Sequence, residues 1–84
     1  MTLRHIRVAL HAHAADLAGT SHAGIDVAPT ATGAEVKQAL SALHPRLEGL
    51  LPSSVLATDH EYLSDHSAVG DESSLHLIPP VSGG

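Results

Sequence analysis

Gly83 and Gly84 offer the plainest chemistry in this sequence, because they finish it on a carboxylate with no side chain beside it. Glycine has no Cβ, so a Gly-Gly end lies flat and threads into a narrow active site where other residues clash. Pro79 and Pro80 stand four residues upstream of that end. They fix φ and cannot continue a helix, which keeps the following Val81-Ser82 extended and clear of the body. The pattern reads as a reactive C-terminus held out on a small folded handle. The plainer alternative is a frayed end that finishes in glycine by chance, which average glycine usage allows in about one chain in 200.

Histidine is the second chemical resource, with eight in 84 residues. His11 and His13 share a face if the first strand reaches them, and such a pair can chelate zinc or nickel. Asp59-His60-Glu61 and Asp65-His66 offer further ligands. The histidines are scattered through every segment, however, and no HExxH or fixed His/Cys set occurs. Solvated or partly packed imidazoles are therefore the expectation, and no metal site is expected. Their number does predict a swing of net charge from negative toward positive as pH falls through the histidine range near 6.5. Asp71-Glu72 reads more simply as a polar turn than as a paired-carboxylate site. No serine sits in a nucleophile elbow, and no Gly-rich loop opens a helix as phosphate sites require. The chain holds no catalytic constellation of its own.

Composition narrows the function classes. Hydrophobic residues make up 43% and charged residues 15%, the balance of a globular chain with one modest core. There is no Phe or Trp and a single Tyr, so the core is aliphatic and no aromatic platform is available for stacking bases. The formal charge of −5 argues against phosphate-backbone binding and suits a basic protein partner. Nucleic acid is not an expected partner. The lack of cysteine excludes disulfides, a Cys-based zinc site and a thiol nucleophile. No apolar run approaches the ~20 residues of a membrane span, so no membrane association is expected. The basic N-terminal stretch has no long apolar segment after it, because His11 and His13 interrupt it. No signal peptide is expected there, and a cytoplasmic location is the default.

The elements that hold the tail follow from periodicity. Ile6, Val8, Leu10 and Ala12 alternate with Arg7, Ala9 and His11, which predicts a strand from about Leu3 to Ala12. His13 to Ala18 predicts a short helix with Leu17 inward, stopped by Gly19. Thr20 to Gly24 reads as a loop, and Ile25-Asp26-Val27 as a short strand antiparallel to the first. Thr32-Gly33-Ala34-Glu35 has the form of a capping box. Val36, Ala39, Leu40 and Leu43 then repeat at helical spacing as far as Pro45. Arg46 to Leu51 predicts a helical turn packing Leu47, Leu50 and Leu51, with Pro52-Ser53-Ser54 a loop. Val55 to Thr58 and Tyr62-Leu63 read as strand pieces joined by a polar turn. Gly70-Asp71 is a turn, and Ser74 to Ile78 a final strand running into the tail. No repeat or domain boundary interrupts residues 1–84. The expected class is α+β, a helix across one face of a small mixed sheet, with the last strand beside the first and central in the sheet.

The ending Leu77-Ile78-Pro79-Pro80-Val81-Ser82-Gly83-Gly84 resembles that of the MoaD/ThiS family of ubiquitin-like sulfur carriers. The resemblance extends along the chain. Leu17-Ala18-Gly19 is similar to the family's first helix ending in glycine. The helix opening at Thr32, with Val36 and Leu40, is similar to its central helix, and Gly70-Asp71-Glu72 to its acidic turn before the last strand. The chain departs from the family's common pattern in its first helix, where Ala15-Asp16 replaces an Arg-Glu pair. It also holds Leu10, Leu77 and Ile78 where aromatic residues are frequent.

The resemblance implies a β-grasp fold and the role of sulfur-carrying small subunit of molybdopterin synthase. A ubiquitin-activating-like adenylyltransferase would use ATP to adenylate the Gly84 carboxylate, with no cofactor bound by the chain itself. A sulfur donor would convert the adenylate to a thiocarboxylate. The tail would then enter the large subunit of molybdopterin synthase and give sulfur to cyclic pyranopterin monophosphate in molybdenum cofactor biosynthesis. Gly83 and Gly84 would be the reacting end, and Leu77, Ile78, Pro79, Pro80, Val81 and Ser82 would meet the partner. The same Gly-Gly end would also serve a carrier for thiamine, cysteine or tRNA thiolation, or a ubiquitin-like modifier of lysines.

Overall fold

The computed structural model describes residues 2–70 and 72–80. The tail residues Val81, Ser82, Gly83 and Gly84 lie outside the described residues, as does Asp71 of the acidic turn.

Five strands form one mixed sheet. Strand β1 spans Arg4–Leu10, β2 His22–Val27, β3 Val55–Ala57, β4 Tyr62–Leu63 and β5 Ser74–Ile78. Their order across the sheet is β2-β1-β5-β3-β4. β1 runs antiparallel to β2 and parallel to β5, and β3 runs antiparallel to both β5 and β4. The final strand is therefore central and lies beside the first, as expected from their pairing. A helix packed across one face of this mixed sheet is the β-grasp arrangement that the resemblance implies.

That helix, α2, spans Gly33–Leu43 and follows the short helix α1, His13–Ala18. The capping box forms as the sequence predicts. Glu35 N–H donates to Thr32 Oγ1, and Thr32 N–H donates to the Glu35 carboxylate at 3.2 Å. These bonds satisfy donors that a helix start otherwise leaves open. Two more go to the loop before β5, with Gly33 N–H donating to Ser67 O and Ala34 N–H to Asp65 O, both at 3.0 Å. α1 ends at Gly19, whose φ of 74° is the left-handed cap that glycine adopts without strain.

The core lies between α2 and the inner face of the sheet. Ile6, Val8, Leu75 and Leu77 from the two middle strands meet Val36 and Leu40 from the helix, all fully buried. Leu47 and Leu51, on two short 3-10 turns at Pro45–Leu47 and Leu51–Ser53, close the core. With no Phe or Trp, these aliphatic chains supply most of the burial that holds the domain together.

Several sequence expectations are corrected. β1 stops at Leu10 rather than Ala12, because Ala12 turns to a φ of 50° and begins the approach to α1. His11 and His13 thus do not share a strand face. β2 starts at His22 instead of Ile25, so the predicted loop contributes three strand residues. Leu17 is half-buried and packs against the core as expected, and Ala14 is the α1 residue that is fully buried there. Leu43 is 50% exposed. It lines a shallow groove with Ala39 and Gly24. Pro52 and Ser53 belong to a 3-10 turn, not a loop.

Candidate functional site

The candidate site is the place where β5 releases the tail. Alternation along β5 sends Leu75 and Leu77 into the core and leaves Ser74, His76 and Ile78 on the outer sheet face. Leu77 was expected at a partner surface, but the core encloses it fully and leaves nothing for a partner to touch. Pro79 is likewise buried, while Pro80 is exposed. The chain is therefore anchored one residue beyond the end of the strand. Of the described residues proposed for partner contact, Ile78 and Pro80 remain on the surface.

Ile78 does not stand alone. Its Cα partner on β3 is Val55, and Ala57 of the same strand pairs with His76 on β5 and Tyr62 on β4. Directly opposed residues share a face. Ile78, Val55 and Tyr62 thus form an exposed apolar stripe beside the tail exit. The other half of the outer face is polar. His5 and Arg7 on β1 lie beside His22 and Asp26 on β2, and His5 Nδ1 meets Asp26 Oδ1 at 2.9 Å. One face of the sheet is thus apolar near the tail and hydrophilic away from it.

A cleft opens on the other side of the exit, lined by His11, Ala12, His13, Asp16, Ile78, Pro79 and Pro80. His11 N–H donates to Leu77 O at 3.3 Å and holds the end of β1 against the end of β5. At the far end of β5, the Arg4 guanidinium donates to the carbonyls of Gly70 and Glu72. The central strand is thus fastened at its entry and its exit.

The histidines assemble differently from the sequence expectation. His11 Nε2 lies 3.0 Å from His76 Nδ1, with the rings stacked at 5.2 Å between centroids. His76 Nε2 in turn meets Asp59 Oδ1 at 2.9 Å. Sequence reasoning missed this chain of groups, because 65 residues separate the two histidines and only the β1–β5 pairing joins them. Among the described residues, no three His, Asp or Glu side chains are grouped to hold a metal ion. None of the described helices is long and apolar enough to cross a membrane.

Nothing among the described residues assembles a nucleophile, a base and an oxyanion donor. The arrangement presents a tail from a central strand, flanked by an apolar stripe and a cleft. It is a geometry for being recognised.

Comparison with known proteins gives the family. The chain is 33% identical over 79 residues to the molybdopterin synthase sulfur carrier subunit of Arabidopsis thaliana, covering 94% of this chain and 82% of that protein. It is 28% identical over 81 residues to the subunit of the same name from Chlamydomonas reinhardtii, covering 94% and 98%. The crystal structure of SAMP1 from Haloferax volcanii superposes with a TM-score of 0.81 at 30% identity, covering 95% of this chain and 99% of that one. Residues 8–84 match the model of the ThiS family, so nearly the whole domain, from β1 to the Gly-Gly end, belongs to that family.

Proposed function

We propose that this protein is the sulfur carrier subunit of a molybdopterin synthase, with Gly84 as the site that carries sulfur. The observation that bears most weight is the family match running through to Gly84, alongside curated relatives of that name over 94% of the chain. Among the described residues no nucleophile, base and oxyanion donor are grouped, which suits a protein whose end is the substrate of other enzymes.

In this reading a Gly84 carboxylate oxygen attacks the α-phosphate of ATP on a ubiquitin-activating-like adenylyltransferase, and pyrophosphate leaves. A carboxylate is a poor electrophile, and the acyl-adenylate makes its carbon attackable. A sulfur donor then displaces AMP and leaves a thiocarboxylate. No side chain on Gly83 or Gly84 crowds that carbon. The tail next enters the large synthase subunit, and the thiocarboxylate gives its sulfur to cyclic pyranopterin monophosphate. The stripe of Ile78, Val55 and Tyr62 is the surface for that subunit, because a tail alone buries too little to hold a stable complex.

The likeness to SAMP1 favours one second reading, in which the tail is joined to lysines of other proteins. Intact-mass measurement of the protein from its native host separates the two. Replacement of one oxygen by sulfur at Gly84 is the expected result for a carrier. Lysines of other proteins carrying a branched peptide that ends in Gly84, with no sulfur-bearing form, would overturn it.

A further inference from the structure

We propose that His11 and His76 form a surface site for a divalent transition metal, with Asp59 orienting one of the two ligands. The inference is separate from the sulfur-carrier reading and rests on three groups that β1, β5 and the β3–β4 turn bring together. His76 Nε2 meets the Asp59 carboxylate at 2.9 Å. An ionised carboxylate only accepts, so Nε2 carries the proton and Nδ1 keeps a bare lone pair. That lone pair faces His11 Nε2 at 3.0 Å. A carboxylate behind one nitrogen with the other nitrogen free is how proteins fix a metal-binding imidazole.

The two nitrogens are 3.0 Å apart, close enough for one ion with metal–nitrogen bonds of about 2.0 Å to reach both once His11 turns. Imidazole ligands completed by water bind Cu(II) ahead of Ni(II) and Zn(II), in the usual order of divalent affinities. His11 is exposed and turns its ring by rotation about its own side-chain bonds. On binding, its proton moves to Nδ1 by exchange with solvent, and Nε2 becomes a ligand. Among the described residues no third side chain completes the set, so water fills the remaining positions. The bound ion bridges the end of β1 to β5 three residues before the buried Pro79.

The test is a titration of the untagged, full-length protein with copper, nickel and zinc chlorides by calorimetry. Electron paramagnetic resonance is recorded on the copper form. The expected result is one saturable equivalent of Cu(II), bound more tightly than Ni(II) or Zn(II), with couplings from two imidazole nitrogens. His11→Gln and His76→Gln each weaken it about tenfold or more, and Asp59→Asn about tenfold. His13→Gln and His60→Gln leave it unchanged. Absence of saturable copper binding, or an unaltered affinity and spectrum in His11→Gln, would overturn the site. Should His76→Gln lose its fold by circular dichroism, the His11→Gln result decides alone, because that side chain lies on the surface.

Discussion

Val55 and Ile78 oppose each other across β3 and β5, and their side chains are 41% and 37% exposed on the sheet face beside the tail exit. Two adjacent strands thus offer a solvent-facing aliphatic pair, while Leu77, one residue earlier, is fully buried. Neighbouring residues of β5 therefore serve different ends. Ile78→Asp and Val55→Asp are expected to keep the melting temperature near that of the wild type. Each weakens binding to the large synthase subunit by about tenfold or more, as buried interface anchors do. Leu77→Asp instead places a charge in the core and lowers stability by more than about 3 kcal/mol. Calorimetric binding and thermal melts of the three variants check this. Equal binding by Ile78→Asp and the wild type would remove the stripe from the interface.

The tail is expected to separate chemistry from folding. Deletion of Gly84, or its replacement by a bulky residue, leaves the circular dichroism spectrum and melting curve unchanged. Sulfur transfer to the pterin precursor falls to background in a reconstituted synthase assay. Activity retained by the deletion variant would refute a Gly84 thiocarboxylate.

Gly33 is fixed by its neighbours, not by its dihedral angles. A Cβ there would lie 2.5 Å from Ser64 O, in the loop whose carbonyls cap the start of α2. Backbone cannot move aside as a flexible side chain can. Gly33→Ala is expected to cost about 1–3 kcal/mol. The melting temperature should fall by roughly 5–15 °C. Thr32→Ala, which removes only the cap hydroxyl, costs about 1 kcal/mol. Denaturant melts on the two variants rank the effects, and a neutral Gly33→Ala would show that the loop yields.

Lys37 is the single lysine in the sequence. Its ammonium meets Asp65 Oδ1 at 2.9 Å, and its side chain is 12% exposed. An acyl-adenylate at Gly84 would acylate any free amine, so this pairing bears on self-reaction. After incubation with the activating enzyme and ATP, the wild type is expected to show no branched peptide joining Gly84 to Lys37 by peptide mass spectrometry. Asp65→Ala frees the amine and raises that species. Abundant modification of wild-type Lys37 would show that the ion pair gives no protection.

The parts legible in the sequence are those where side-chain period and burial coincide. Leu75 and Leu77 alternating around His76 predict β5 with its observed bounds, Ser74–Ile78. Thr32 and Glu35 predict the start of α2, because a capping box is a local interaction. β2 was half hidden. Ala23 alternates with exposed His22 and Gly24 as a strand should, but small residues give little β signal. The burial of Pro79 and the His11–His76–Asp59 chain were not legible, since the expected pairing of β1 with β5 does not by itself set their register or the place of the β3–β4 turn. Arg4 is a similar case, because the register of β1 against β5 decides which carbonyls it reaches.

The central place of β5 has a mechanical consequence. Its hydrogen bonds run to β1 on one edge and β3 on the other. A pull on Pro80 is directed along the strand, so it loads both ladders in shear and all their bonds resist together. An edge strand such as β4 would peel away one bond at a time. Enzymes that draw the tail into a channel can thus tug on it without unravelling the domain that carries it.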